Sequence, residues 1–223
     1  MMQPLAFLGD SHITYFRSAA ERGLFGSRAI SVCEVGGATA VGLRNPNSAT
    51  NALQIFRQAL GQLEPGTILV LHLGEVDCGF VIWYRAQKYG EPVERQVEES
   101  LDAYFSFVDD ARAAGFSRIV ITGATLPTIR DDQDWGEVAN ARREVTASLR
   151  QRTELTLSYN RELHRRAEAR GLAYIDITEE ALDPATGLVR EAFRHSDPCN
   201  HHLDESLVGF LWASRFSQCG LLS

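Results

Sequence analysis

The chain has 223 residues, 44% of them hydrophobic and 23% charged, enough for one α/β domain with a sizeable core. A net charge of −7 with no run of Lys and Arg argues against a nucleic-acid surface. No apolar stretch approaches the length of a membrane span, and the first residues lead straight into a strand, so neither an anchor nor a signal peptide is expected.

Leu5–Leu8 is the first predicted strand, short and apolar without alternation, as a strand buried on both faces should be. It stops at Gly9-Asp10-Ser11-His12, where an N-cap-type Asp or Ser introduces a helix ending near Gly23. Ala29–Val35 is a second apolar strand, closed by Gly36-Gly37. In Ala49–Leu63 the residues Leu53, Phe56 and Leu60 share one helical face. Pro65-Gly66 turns the chain into Thr67–His72, the third strand. Val93–Gly115 carries Val93, Val97, Leu101, Phe105 and Val108 on one stripe and is a predicted amphipathic helix. Arg118–Thr122 is a fourth strand, Leu155–Arg170 a helix capped by Gly171, Ala173–Ile177 a fifth strand, and Leu203–Phe216 a closing helix. Between them Gly123–Leu149, with Pro127 and Asp131-Asp132, reads as a loop or lid. Strands separated by helices imply parallel pairing through right-handed crossovers, hence a single three-layer α/β/α sandwich on a five-stranded sheet.

Ligands of an open parallel sheet bind beyond the carboxyl ends of its strands. There the sequence places Gly9-Asp10-Ser11-His12, then Gly36-Gly37-Ala38-Thr39, His72–Phe80 ("HLGEVDCGF"), Gly123–Asp132 and, after the fifth strand at a distance, His195–Glu205 ("HSDPCNHHLDE"). A serine on a strand-to-helix turn is a nucleophile if a histidine takes its proton and a carboxylate orients that histidine. Ser11 has that placement; His201 or His202 can serve as base, with Asp197 upstream. The amides of Ser11 and Gly37 are candidate donors to an oxyanion.

"FLGDSH", "GGATA", "LGEVDC", the "YN" of the late helix and "DPCNHHL", in that order along nearly the whole chain, resemble the blocks of SGNH/GDSL-type hydrolases. The resemblance implies a flavodoxin-like sheet, Ser11 as nucleophile, Gly37 as an oxyanion donor, and a triad completed by Asp197 with His202 or His201. The family's histidine is often followed by Leu or Pro, which favours His202 before Leu203. Two blocks depart from the pattern. The third normally reads Gly-x-Asn-Asp, with Asn as an oxyanion donor, and here Val76 stands in that place. The last normally spaces Asp-x-x-His, and here Asn200 occupies the histidine's position.

Asp10, Glu75, Asp77 and Arg130 are candidate substrate contacts; for Glu75 and Asp77 the competing reading is capping or pairing with a structural Arg. Cys78 reads as a small buried hydrophobe, His12 as a helix-surface histidine and His72 as a core residue. Asp197, Cys199, His201, His202 and Asp204 also invite a metal reading. Adjacent histidines are expected to point apart and no second zinc-type pair is present, so no metal is expected. Gly36-Gly37 lacks the rest of a dinucleotide fingerprint, and no phosphate loop occurs, so no cofactor is expected. Four cysteines without CxxC spacing suggest reduced thiols and a cytoplasmic protein. The function expected is a serine esterase or acyl-transfer enzyme acting on a small ester, an O-acetylated sugar being the first class to test. The alternative is a non-catalytic binding protein of the same fold.

Overall fold

Five strands, β1 (Leu5–Gly9), β2 (Ile30–Glu34), β3 (Ile68–His72), β4 (Ile119–Thr122) and β5 (Ala173–Ile175), form one parallel sheet in the order β2-β1-β3-β4-β5. The computed structural model describes residues 2–131 and 144–222. Every residue of β1, β3 and β4 is buried, which is why these strands read as unbroken apolar runs, whereas β2 and β5 lie at the edges and are partly exposed.

Alternate side chains of each strand enter separate cores. Ala6, Leu8, Leu69, Leu71, Ile119 and Ile121 face α2 (Ala52–Leu60), α4 (Val93–Ala113) and α5 (Leu149–Ala169). Leu5, Phe7, Ile68, Val70, Val120 and Ile175 face α1 (Thr14–Glu21) and the C-terminal helix Glu205–Gln218. On that second face Phe7 stacks on Phe16 at 4.6 Å and Phe16 on Phe216 at 5.7 Å. Burying each such ring contributes roughly 2–3 kcal/mol.

The structure departs from these expectations in several places. The helix expected from Leu155 begins at Leu149, where Ser148 accepts from the Gln151 amide while the Gln151 side chain accepts from the Ser148 amide, a capping box. A helix absent from the expectation, α3 (Ile82–Tyr89), follows a π-helical turn over Asp77–Val81. The segment expected as a lid runs buried from Gly123 to Ile129, emerging at Arg130; its residues 132–143 lie outside the described residues. Two short antiparallel strands, β6 (Leu182–Asp183) and β7 (Leu188–Val189), precede the final helix, which we label α6. Among the described residues no helix is long and apolar enough to cross a membrane.

The order β2-β1-β3 reverses the direction of winding at β1 and β3. Their carboxyl ends, with Gly9 paired to His72, open a crevice at the switch point.

Candidate active site

Gly9 ends β1 where no other residue fits: a Cβ there would lie 2.1 Å from the carbonyl oxygen of His72. The chain then turns at Asp10, the N-cap of a short 3-10 turn over Ser11–Ile13. The Oδ1 of Asp10 accepts from the backbone N of His12 at 2.9 Å and lies 3.0 Å from its ring Nδ1. This local closure leaves Ser11 half-exposed above the crevice, between two fully buried side chains.

The second strand end is tied to the third. A turn from Val35 to Ala38 closes by a 3.0 Å bond from the Ala38 N–H to the Val35 carbonyl, with Gly37 exposed at φ +70°. A positive φ at that position is what a type II turn requires, hence the glycine. Asp77 accepts from the Ala40 and Val41 amides at 2.7 and 3.1 Å and from the Ser100 hydroxyl at 2.8 Å. Ser100 in turn bonds Tyr159 at 2.9 Å. Asp77 is fully buried, and burial pushes its carboxyl up to about 6 against the pull of those donors. The expectation of a substrate contact is therefore corrected: Asp77 is a tether for the loop that carries Gly37. Asn160 of the "YN" block is another tether, accepting from the Ala124 amide at 2.7 Å and donating to its carbonyl at 3.0 Å.

The last block is brought back over β1 by several ties. The Leu203 amide donates to the Tyr15 hydroxyl at 3.0 Å, the Asp204 amide to the Phe193 carbonyl at 2.8 Å, and the Thr128 hydroxyl to the His201 carbonyl. This positions His202, whose Nε2 is 3.0 Å from Ser11 Oγ. Of the two candidate bases, the geometry pairs His202 with the serine. Its other nitrogen, Nδ1, lies 2.8 Å from Asn200 Oδ1, which also accepts from the His202 backbone N at 2.9 Å. Asp197, expected in that place, is exposed and accepts instead from the Cys199 amide at 2.9 Å. The reason is reach: Asp197 lies five residues before His202 and is spent on its own turn, whereas Asn200 closes a two-residue loop onto the ring.

With Asn200 Oδ1 accepting from Nδ1–H, the Nε2 lone pair faces the serine hydroxyl. Burial, reinforced by the His12 and His201 rings and opposed by Glu75, lowers the His202 pKa to about 3. The ring is thus neutral at physiological pH.

His12 differs most from expectation. It is 1% exposed, not on a helix surface, and its ring centroid is 4.7 Å from that of His202 and 5.5 Å from that of His201. Glu75 is buried as well, with Oε2 3.9 Å from His12 Nε2. Asp10 and Glu75 therefore stand beneath the site, beside His12. Arg130 lies at its edge, paired with Glu191 at 3.0 Å. With Thr128, Arg194, His195 and Asn200 it lines a cavity of about 290 Å³ that adjoins the His202 loop. Val76, 8% exposed, precedes the π-helical turn and offers no side-chain donor. Cys78 and His72 are core residues, as expected.

A serine on the turn after β1, a neutral histidine within hydrogen-bonding distance and an orienting side-chain oxygen are the components of acyl-transfer chemistry at a switch-point crevice. The fold has close counterparts. A GDSL-like lipase from Bacteroides thetaiotaomicron superposes with a TM-score of 0.59 at 13% identity over 97% of this chain and 87% of its own. An acetyl xylan esterase does so with a TM-score of 0.59 at 13% identity over 97% and 98%. A candidate SGNH hydrolase from Slackia heliotrinireducens gives 0.54 at 18% identity over 97% and 100%. No family profile and no curated protein matches the sequence. The chain has the SGNH/GDSL hydrolase fold, as its ordered blocks implied.

Proposed function

We propose that the protein is a serine esterase or acyl-transfer enzyme working through Ser11, His202 and Asn200. The observation that carries this reading is the 3.0 Å contact between Ser11 Oγ and His202 Nε2, with Nδ1 held by Asn200. Ser11 Oγ attacks the ester carbonyl carbon as its proton passes to Nε2. The oxyanion is received by the amides of Ser11 and Gly37. Collapse of the tetrahedral species expels the alcohol, which leaves with the proton held on Nε2. Water or an acceptor alcohol then attacks the acyl carbon as its proton passes to Nε2, and collapse breaks the acyl–Oγ bond while Nε2 returns that proton to Ser11 Oγ. Asn200 keeps the ring in the required tautomer but contributes no negative charge to the imidazolium. The missing Asn donor at Val76 lowers the rate on the order of 100- to 1000-fold relative to a complete oxyanion hole.

The polar cavity lined by Arg130, Arg194 and Asn200, the residue that holds the His202 ring, suits a small ester, an O-acetylated sugar first among them; one protein of the same fold is an acetyl xylan esterase. The absence of paired cysteines among the four described fits a cytoplasmic location. The test is acetate release from acetylated oligosaccharides and short aryl esters. Wild type should turn over at least one, and Ser11→Ala none. Equal turnover by both proteins would refute the reading, and binding without turnover would favour the non-catalytic alternative.

A further inference from the structure

Asp10-Ser11-His12 and Asn200-His201-His202 are the same local device used twice. In each, the side-chain oxygen of an Asp or Asn takes both the backbone N and the ring Nδ1 of the histidine two residues on. A ring pinned through Nδ1 leaves Nε2 as its second nitrogen, which in His202 faces Ser11 and in His12 lies 3.9 Å from Glu75 Oε2, and the two rings meet, 4.7 Å between centroids. His201 does not point away from its neighbour, as adjacent histidines were expected to. Its ring lies 4.1 Å from that of His202 and 5.5 Å from that of His12. One nitrogen from each of the three rings falls within 4.8 Å of the others. Ligand nitrogens around a zinc ion stand about 3.3–3.5 Å apart, as bond lengths of about 2.0–2.1 Å require, so the three rings must draw closer together to hold an ion.

We propose that His12, His201 and His202 bind a divalent transition metal ion, Zn2+ by its ligand chemistry, and that the bound ion takes His202 away from Ser11. Three imidazoles suit zinc, while magnesium and calcium need oxygen ligands. The oxygens of Asp10 and Asn200 on the two Nδ1 atoms are the outer contacts that metal-binding histidines characteristically make. The buried Asp10 and Glu75 carboxylates supply negative charge beside the cation. The electron pair of His202 Nε2 that accepts the serine proton is the pair the ion would occupy. Base and ligand are thus mutually exclusive states, and zinc holds the enzyme off.

The switching half of this proposal rests on Ser11 being the nucleophile; the binding half does not, and two readouts separate them. Binding is measured by competition of untagged, metal-stripped protein with a chromophoric chelator for Zn2+, with Mg2+ as control. One Zn2+ per chain should bind in wild type and in Ser11→Ala, and His201→Gln should weaken it at least ~10-fold. His12→Gln should do the same, its fold checked by circular dichroism. Switching is measured as the rate at which a fluorophosphonate labels wild type: saturating Zn2+ should slow it at least ~10-fold, EDTA should restore it, and in His201→Gln the two rates should stay nearly equal. Absence of Zn2+ binding, or binding that His201→Gln leaves unchanged, overturns the proposal. Labelling untouched by bound Zn2+ overturns the switch. Stoichiometric binding by a protein that is never labelled would sustain the metal site and sink the serine reading together with the switch.

Discussion

Asn200 decides how far His202 can act. A side-chain amide oxygen orients the ring as well as a carboxylate does, because both accept the Nδ1 proton, but it leaves the imidazolium without a counter-charge. Asn200→Ala should lower kcat on the order of 10- to 100-fold, a part of the 10²–10⁴ that a positioned general base supplies, with KM little changed. Asn200→Asp restores both acceptor and charge and should hydrolyse esters at least as fast as wild type. Steady-state kinetics on one ester checks both, and an Asn200→Ala enzyme as fast as wild type would remove Asn200 from the mechanism. The approach of His202 to Ser11 was legible in the sequence because strand-end glycines and polar clusters stand out against apolar runs. Asn200 was not, since a neutral amide next to a nearby Asp197 attracts no attention. The signal that could have found it was the repeated Asx-x-His spacing of Asp10–His12 and Asn200–His202. His12 was misplaced for a related reason: proximity to a helix start says nothing about what later packs over it, and here the covering residues come from positions 201 and 202.

At the level of elements, the site depends on tethers between chain segments distant in sequence. Asp77 is the clearest, since three donors converge on one buried carboxylate: the amides of Ala40 and Val41 and the hydroxyl of Ser100. Asp77→Ala strands them at about 1–3 kcal/mol for each group left without water. We expect a loss of about 2–4 kcal/mol in urea unfolding, together with a fall in activity beyond that explained by the unfolded fraction, because the Gly37 loop is released. A stable Asp77→Ala protein with full activity would show that the loop holds itself. The central strands could be read from sequence since burial on both faces removes every polar residue from them. The π-helical turn at Asp77–Val81 could not, because its wider turn breaks the 3.6-residue spacing on which a helix is recognised, and α3 was lost with it. The first turn of α5 was hidden by its polar residues, and only the Ser148–Gln151 capping box marked it.

For the molecule as a whole, His72 couples the core to pH. It sits at the end of β3, 1% exposed, with Nδ1 2.7 Å from the Thr122 hydroxyl and Nε2 3.2 Å from that of Thr125. Thr122 donates its own proton to the Leu71 carbonyl, so its oxygen accepts from Nδ1–H, and Nε2 accepts from Thr125. A neutral ring satisfies this arrangement, and burial lowers its pKa to about 4 from the ordinary 6.5. Since the folded pKa lies below the unfolded one, the stability is fully present above pH 6.5 and is lost as pH falls from there toward 4. The two values correspond to a loss on the order of 3 kcal/mol. Urea midpoints at several pH values should fall more steeply for wild type than for His72→Gln over that window. Parallel slopes would mean that His72 carries no such linkage. The sheet order, the two cores and the crevice at β1 and β3 follow from strands alternating with amphipathic helices, which is why the architecture was within reach of the sequence while the side chain that holds the His202 ring was not.

The central claim is that Ser11 is a nucleophile activated by His202, and intact-protein mass after fluorophosphonate treatment of the metal-stripped chain tests it most directly. Wild type should gain one adduct, Ser11→Ala none, and His202→Ala should react at least ~100-fold more slowly, as loss of a general base implies, whereas His201→Ala should still react. An adduct that persists in Ser11→Ala, or a folded wild type that never reacts, would contradict it.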